Sequence, residues 1–291
     1  MLEKVLDLYH NGKNKEAFNL LVNNAKTDEE LYTLGQFYYQ GIGCVIDYQK
    51  AYKAFSKSND LRAVYNYGLC HEMGIGTYKD DLKAFNAYNK AITLLEAKYS
   101  LALCYFDGIG TKRDVEKAKQ LLEELGEYSP ALLFRANLYE EGIGYEKDLL
   151  KAYEIYQKLA DNGLYEGYVA HCFLEGIGVE KNLEKAFLYY QNAASKADPE
   201  SMYQLGCLYD YGKGVETNKE EAVKWYLEAS KYDHAGALYN AVISYIFGEG
   251  INKSVDTGCR LLDKAVKLGS TEAKDILKDF KVVHNKWTPK D

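Results

Sequence analysis

A Gly-x-Gly triplet recurs seven times along the 291 residues, as Gly41/Gly43, Gly74/Gly76, Gly108/Gly110, Gly142/Gly144, Gly176/Gly178, Gly212/Gly214 and Gly248/Gly250. The first glycines lie 33, 34, 34, 34, 36 and 36 residues apart. Scattered turns do not keep such a period; stacked supersecondary units do. Three residues before each first Gly stands Tyr38, His71, Tyr105, Tyr139, Phe173, Tyr209 or Tyr245. Six before it stands Gly35, Gly68, Ala102, Ala136, Ala170, Gly206 or Val242. Those offsets share one helical face, and the small residue lets a neighbouring helix approach, which defines a helix A.

Four residues after each second Gly comes Asp47, Asp80, Asp114, Asp148, Asn182, Asn218 or Ser254, all side chains that accept hydrogen bonds from a helix start. From these caps, offsets of four, eight and eleven trace a buried stripe, as in Ala84, Tyr88 and Ala91 or Ala222, Tyr226 and Ala229. The spacing predicts a helix B behind each cap. The two longer repeats gain their extra residues between helix B and the next helix A, where Pro199 suits a helix start. Residues 1–27 read as a capping pair, Leu2 to His10 and Lys15 to Ala25 around an Asn11-Gly12 turn. Residues 28–269 form the array. Residues 270–285 read as one closing helix, within a 270–291 capping segment whose tail includes Trp287 and Pro289.

The pattern Leu34-Gly35-x-x-Tyr38-x-x-Gly41-x-Gly43-x-x-x-Asp47-x-x-Lys50-Ala51 resembles the Sel-one-like repeat, a relative of the tetratricopeptide repeat. Lys-Ala recurs at Lys83-Ala84, Lys117-Ala118, Lys151-Ala152 and Lys185-Ala186, then drifts to Glu221-Ala222 and Thr257-Gly258. The likeness covers about residues 29 to 269, and the seventh repeat diverges most. Val after the second Gly occurs only at Val179 and Val215, and Trp-Tyr in helix B only at Trp225-Tyr226. The expected fold is an all-α right-handed solenoid of seven helix pairs with capping helices. The resemblance also implies a protein-binding adaptor or scaffold.

Composition narrows the function. Thirty-six basic against 43 acidic residues leave a net charge of −7, and without clustered Lys and Arg the chain is not expected to bind nucleic acid. No run of about 18 apolar residues suggests a membrane span. The start, Met1-Leu2-Glu3-Lys4-Val5-Leu6-Asp7, lacks the pattern of a secretory signal. The six cysteines, at 44, 70, 104, 172, 207 and 259, form no Cys-x-x-Cys pair, and three recur at one helical position. Free thiols in the cytoplasm are the expected state, and related secreted proteins with disulfides within repeats differ in this respect.

No catalytic, cofactor or metal site is expected. The glycine triplets match neither a dinucleotide fingerprint nor a Gly-Lys-Ser/Thr loop, and left-handed C-caps account for all seven. His71-Glu72 lacks the second His of a helical zinc motif, and His71 occupies the aromatic core position. His171-Cys172 points its two side chains in different directions from a helix. Glu140-Glu141 reads as solvated surface.

The candidate site is a stripe nine residues before each first Gly: Tyr32, Tyr65, Tyr99, Leu133, Gly167, Tyr203 and Tyr239. In related helical repeats this side of helix A lines the inner concave surface. Glu72, Asp107, Glu140, Glu141, Glu175 and Asp210 lie just before the glycines. An aromatic and acidic groove suits a partner protein or peptide offering Lys or Arg beside apolar anchors. The competing reading packs the rings between repeats. Two other functions stay open: a self-assembling structural protein that uses its end repeats, and a hydrolase-type enzyme whose nucleophile and base meet between repeats.

Overall fold

The computed structural model describes residues 1–268, 271–283 and 286–289. Two compact units divide the chain, residues 1–134 and 135–291. The first holds α1 (Leu2–His10), α2 (Asn14–Asn24), α3 (Asp28–Gln40), α4 (Tyr48–Phe55), α5 (Leu61–Met73), α6 (Asp81–Lys90), α7 (Leu95–Asp107) and α8 (Val115–Glu124). The division falls within α9 (Ser129–Glu141). The second holds α10 (Leu149–Asp161), α11 (Glu166–Glu175), α12 (Leu183–Ser195), α13 (Pro199–Tyr211), α14 (Lys219–Ser230), α15 (Ala235–Phe247), α16 (Val255–Lys267) and α17 (Thr271–Leu277). Odd-numbered helices from α3 to α15 are helix A and even-numbered ones from α4 to α16 are helix B, so each unit is an all-α repeat solenoid.

Local chemistry sets the period. Asp47, Asp80, Asp114, Asp148, Asn182, Asn218 and Ser254 each accept a hydrogen bond from the backbone N–H three residues on, at 2.9–3.3 Å. Each satisfies one amide that the helix start leaves open. At the other end, the first glycine of each triplet has a φ between +66° and +80°, the left-handed turn that ends helix A. The second glycine is required by space as well as by conformation. At Gly178 an added Cβ would overlap the Leu149 carbonyl at the start of the preceding helix B.

Helix B supplies the buried stripe. Phe55, Tyr88, Leu122, Tyr156, Tyr190, Tyr226 and Leu262 are all at most 2% exposed, each contributing roughly 1.5–3 kcal/mol of burial. Where this side chain is large, helix A yields space: a Cβ at Gly68 or Gly206 would stand 2.6 Å from the ring of Tyr88 or Tyr226. Asp198 caps α13 with Pro199 in its first turn, and left-handed Ala197 and Asp233 lie in the two longer connections.

Two regions depart from the expected pattern. The closing helix ends at Leu277, and Phe280–Val283 pairs antiparallel with Lys286–Pro289. The alternation of Phe280-Lys281-Val282 and the β-branched pair that ends it favour a strand over a continued helix. Phe280 and Trp287 pack on the cluster of Val242, Cys259, Leu262 and Ala273, and the Trp287 backbone N–H donates to Asp256 at 2.9 Å. Residues 284 and 285 of the expected helix lie outside the described residues. The second departure is α11, which has 10 residues where every other helix A has 13. Its first turn is replaced by Gly163 and a left-handed Tyr165 at φ +56°.

Candidate functional site

The tyrosine stripe lies at the seam between helix A and the large helix B side chain of the same repeat. Ring centroids of Tyr32 and Phe55 are 6.4 Å apart, of Tyr65 and Tyr88 5.6 Å, and of Tyr203 and Tyr226 6.1 Å. Three of the rings also meet residues that follow in the next repeat or the connection to it. The Arg62 guanidinium stands 4.4 Å over Tyr32, Tyr128 meets Tyr99 edge-on at 6.0 Å, and His234 stacks on Tyr203 at 4.7 Å. Tyr32, Tyr65, Tyr99 and Tyr203 are half-buried, while Tyr239 is 46% exposed. Burial pushes the Tyr203 hydroxyl up to about 12 and raises that of Tyr65. Each ring is thus fixed by packing and keeps part of its surface in solvent.

The six acids fall into two registers that sequence reasoning did not separate. Glu72, Glu140 and Asp210, two residues before the glycine, accept hydrogen bonds from buried tyrosines. Tyr88 donates to Glu72, Tyr156 to Glu140 at 2.9 Å and Tyr226 to Asp210 at 3.2 Å. Burial and these carboxylates raise all three tyrosine hydroxyls. Lys219 also bridges Asp210. Asp107, Glu141 and Glu175, one residue before the glycine, are exposed. The sequence held a signal for the split. An acid at the earlier position accompanies a tyrosine 16 places further on, as in Glu72 with Tyr88, Glu140 with Tyr156 and Asp210 with Tyr226.

The recurrent lysine also acquires a physical role. Lys50, Lys151 and Lys185 stand 5.5, 4.4 and 5.1 Å over the rings of Tyr38, Tyr139 and Phe173, joining the start of helix B to the end of helix A through cation–π attraction. His71 is 1% exposed. Its Nδ1 lies 3.2 Å from the Tyr78 carbonyl, which only accepts, so Nδ1–H donates there and Nε2 faces the Tyr52 hydroxyl at 3.4 Å. Cys70, Cys104, Cys172 and Cys259 are buried free thiols. Burial pushes Cys104 and Cys172 up to about 12, with Glu72 and Glu140 respectively adding to the shift. Among the described residues no group of three or more His, Cys, Asp or Glu is placed to hold a metal ion, and no helix is long and apolar enough to cross a membrane.

Helix pairs, left-handed glycine caps and a lysine-on-ring clasp define a helical-repeat protein of the tetratricopeptide-like kind. The Sel1 repeat model matches residues 31–60, 61–94, 95–127, 129–164, 167–198, 199–231 and 237–270, and the chain belongs to the Sel1 repeat family. Such repeats are generally protein–protein interaction modules. Among solved structures, the chain is similar to a Sel1 repeat protein from Oxalobacter formigenes, with a TM-score of 0.70 and 24% identity over 90% of this chain and 80% of that one. It is also similar to a protective antigen of uropathogenic Escherichia coli strains that displays an SLR fold, with a TM-score of 0.64 and 25% identity over 93% of this chain. The chain spans 61% of that antigen's length. Yeast Tom70 shares the fold at a TM-score of 0.57 and 16% identity, over 90% of this chain and 57% of that one. No curated protein matches the sequence.

Proposed function

We propose that the protein is a non-enzymatic adaptor, scaffold or regulator that binds a partner protein or peptide along the helix A stripe. This is the face that lines the inner concave surface in related helical repeats. The observation that carries the reading is the half-buried state of Tyr32, Tyr65, Tyr99 and Tyr203, whose rings are pinned by neighbouring side chains before any partner arrives. Anchors held in place lose little conformational freedom on association, and tyrosine gives both apolar area and a hydrogen bond. Asp107, Glu141 and Glu175 are exposed and suit the steering of a partner that carries Lys or Arg.

The non-enzymatic reading is supported by the buried cysteines. A thiol raised by burial stays protonated at neutral pH, and the thiolate is the nucleophilic form. A cytoplasmic site of action fits the same free thiols.

Affinity co-purification from the native cell, comparing wild type with Tyr65→Ala, Tyr99→Ala by mass spectrometry, tests the proposal. A partner captured by wild type and lost by a double variant of unchanged helicity is the expected result. Equal capture by both proteins would remove the stripe as the binding surface. Mass that rises with concentration and no capture by either would favour self-assembly instead.

A further inference from the structure

The repeats act as internal controls for one another, and three departures from their common pattern converge in the second unit. The stripe position is glycine in the fifth repeat, Gly167, so the ring that the stripe sets beside the large helix B side chain elsewhere is missing next to Tyr190. Wherever the stripe is tyrosine, as at Tyr32, Tyr65, Tyr99 and Tyr203, the following repeat has alanine eleven places before its glycine, namely Ala63, Ala97, Ala131 and Ala237. After Gly167 that position is Ser201. Finally, Leu174 occupies the place where Glu72, Glu140 and Asp210 accept a tyrosine hydroxyl, and the Tyr190 hydroxyl makes no hydrogen bond among the described residues.

The result is a cavity of about 520 Å³ between α11, α12 and the start of α13, widened by the missing first turn of α11. Tyr168 and Tyr190 supply aromatic walls. Ser201 lines it with a fully buried hydroxyl that has no hydrogen-bond partner among the described residues. That oxygen lies 2.6 Å from where a Cβ on Gly167 would stand, so it packs against Gly167 and takes up part of the place a side chain there would need. An unsatisfied buried hydroxyl is costly and calls for a ligand group.

The charges in the cavity sort themselves by pairing. Glu166 is buried and bound by Lys196 at 2.7 Å and by Asn192 at 2.9 Å. Asp198 accepts the Ser201 backbone N–H through one carboxylate oxygen, and His171 lines the wall. His234 accepts the Ala237 backbone N–H at Nδ1 and therefore donates from Nε2 to Glu200 at 3.0 Å as a neutral ring. Glu200 stays exposed at the rim, and hydrogen bonds from His234 and Gln204 outweigh its partial desolvation and hold the carboxyl below its ordinary range. With Lys196 matched to Glu166, the carboxylates of Asp198 and of Glu200, the latter exposed and hydrogen-bonded by Gln204 and His234, have no Lys or Arg partner among the described residues and border a cavity walled by Tyr168 and Tyr190. In the second repeat the place corresponding to Glu200 is Arg62, whose guanidinium stacks on the Tyr32 ring.

We propose that this cavity receives an arginine side chain of the partner protein, its guanidinium lying flat where the repeat's tyrosine is missing. The guanidinium is planar like the absent ring, stacks on tyrosine, and donates in its plane to Ser201 Oγ and to the carboxylates. An uncharged ring would leave Ser201 unpaired and the carboxylates unmatched, and an ammonium group would not fill a flat space. This assignment rests on the reading of the protein as a binder of protein segments.

Saturation-transfer NMR at pH 8, where free histidine is neutral, with acetyl-arginine-amide, acetyl-citrulline-amide and acetyl-tyrosine-amide tests it. The arginine probe should bind at least about tenfold more tightly than its neutral isostere or the tyrosine probe, in line with a desolvated cation on an aromatic face. Gly167→Tyr with Ser201→Ala restores the pairing found in four other repeats and should abolish the signal while the thermal melt is retained. If that variant fails to fold, Glu200→Gln should weaken arginine binding by about tenfold. Tighter binding of the tyrosine probe, no arginine signal, or an unchanged signal in the filled or Glu200→Gln protein would overturn the assignment. A partner that still depends on Tyr65 and Tyr99 after such a result would leave the broader function standing, whereas its absence would remove both.

Discussion

The sixth repeat and the fifth stand side by side in the same unit and solve the same packing problem differently. In the sixth, Tyr203 covers Tyr226, whose hydroxyl reaches Asp210 and Cys207, and every partner is internal. In the fifth, Gly167 places no stripe ring beside Tyr190, which is still only 2% exposed, Leu174 offers its hydroxyl no acceptor, and the buried Ser201 oxygen beside Gly167 has no partner among the described residues. The caps and the glycine turn are the same in both. A repeat frame is therefore separable from what its seam holds, and one seam can be closed while its neighbour stays open to a ligand.

The largest effect should be one that both repeats share. Burial is the leading cause that raises the hydroxyls of Tyr88, Tyr156, Tyr190 and Tyr226. An unfolded tyrosine ionises near pH 10, while the folded chain keeps these four protonated. Above about pH 10 the folded state then binds more protons than the unfolded one, so stability is full below that pH and falls as pH rises. Thermal melts from pH 8 to 11.5 should show a flat region and then a decline. Melting points that stay constant to pH 11.5 would mean these rings are solvated.

The frame itself should fail sharply at the triplet. Gly214→Ala places a Cβ against the Leu183 carbonyl at positive φ and should cost about 3 kcal/mol or more by denaturant unfolding. Gly163→Ala, also at positive φ but with only the Lys196 Nζ near at 3.6 Å, should cost about 1 kcal/mol. Equal losses would mean that conformation alone, without close approach, fixes the triplet.

Removing one oxygen from each buried tyrosine separates the two seams more finely. Tyr226→Phe breaks a hydrogen bond to a carboxylate and should destabilise by about 1–2 kcal/mol. Tyr190→Phe removes no such bond and should stay within about 0.5 kcal/mol of wild type. The smallest contrast is the cap: Asn182→Ala and Asn218→Ala should each cost about 1 kcal/mol, and a clear difference between them would show that the fifth frame is weaker than the sixth.

The frame was legible because each signal is local. Asp114 must cap the helix that follows it, and Gly108 must turn left-handed after the helix that precedes it, whatever surrounds them. The seam was less so, since Tyr65 reads identically as groove or as packing until the ring of Tyr88 is seen beside it. The division of acids between Glu72 and Asp107 was written in their one-residue difference in register, which turns a side chain around a helix by about 100°. At Gly167 the sequence showed a gap in the stripe, but the shortened α11 and the orphan Ser201 hydroxyl depend on how two repeats meet. The hairpin at Phe280–Val283 was missed because one strand has no periodic repeat to betray it, and its partner strand, with Trp287, read as tail.

The central claim is that a partner lies on the tyrosine stripe, and hydroxyl-radical footprinting of the captured complex addresses it directly. Tyr32, Tyr65, Tyr99 and Tyr203 should lose oxidation on complex formation, while Tyr78, 92% exposed in the loop after α5 and outside the stripe, should keep it. Protection of Tyr78 with unchanged oxidation of the stripe would contradict the account.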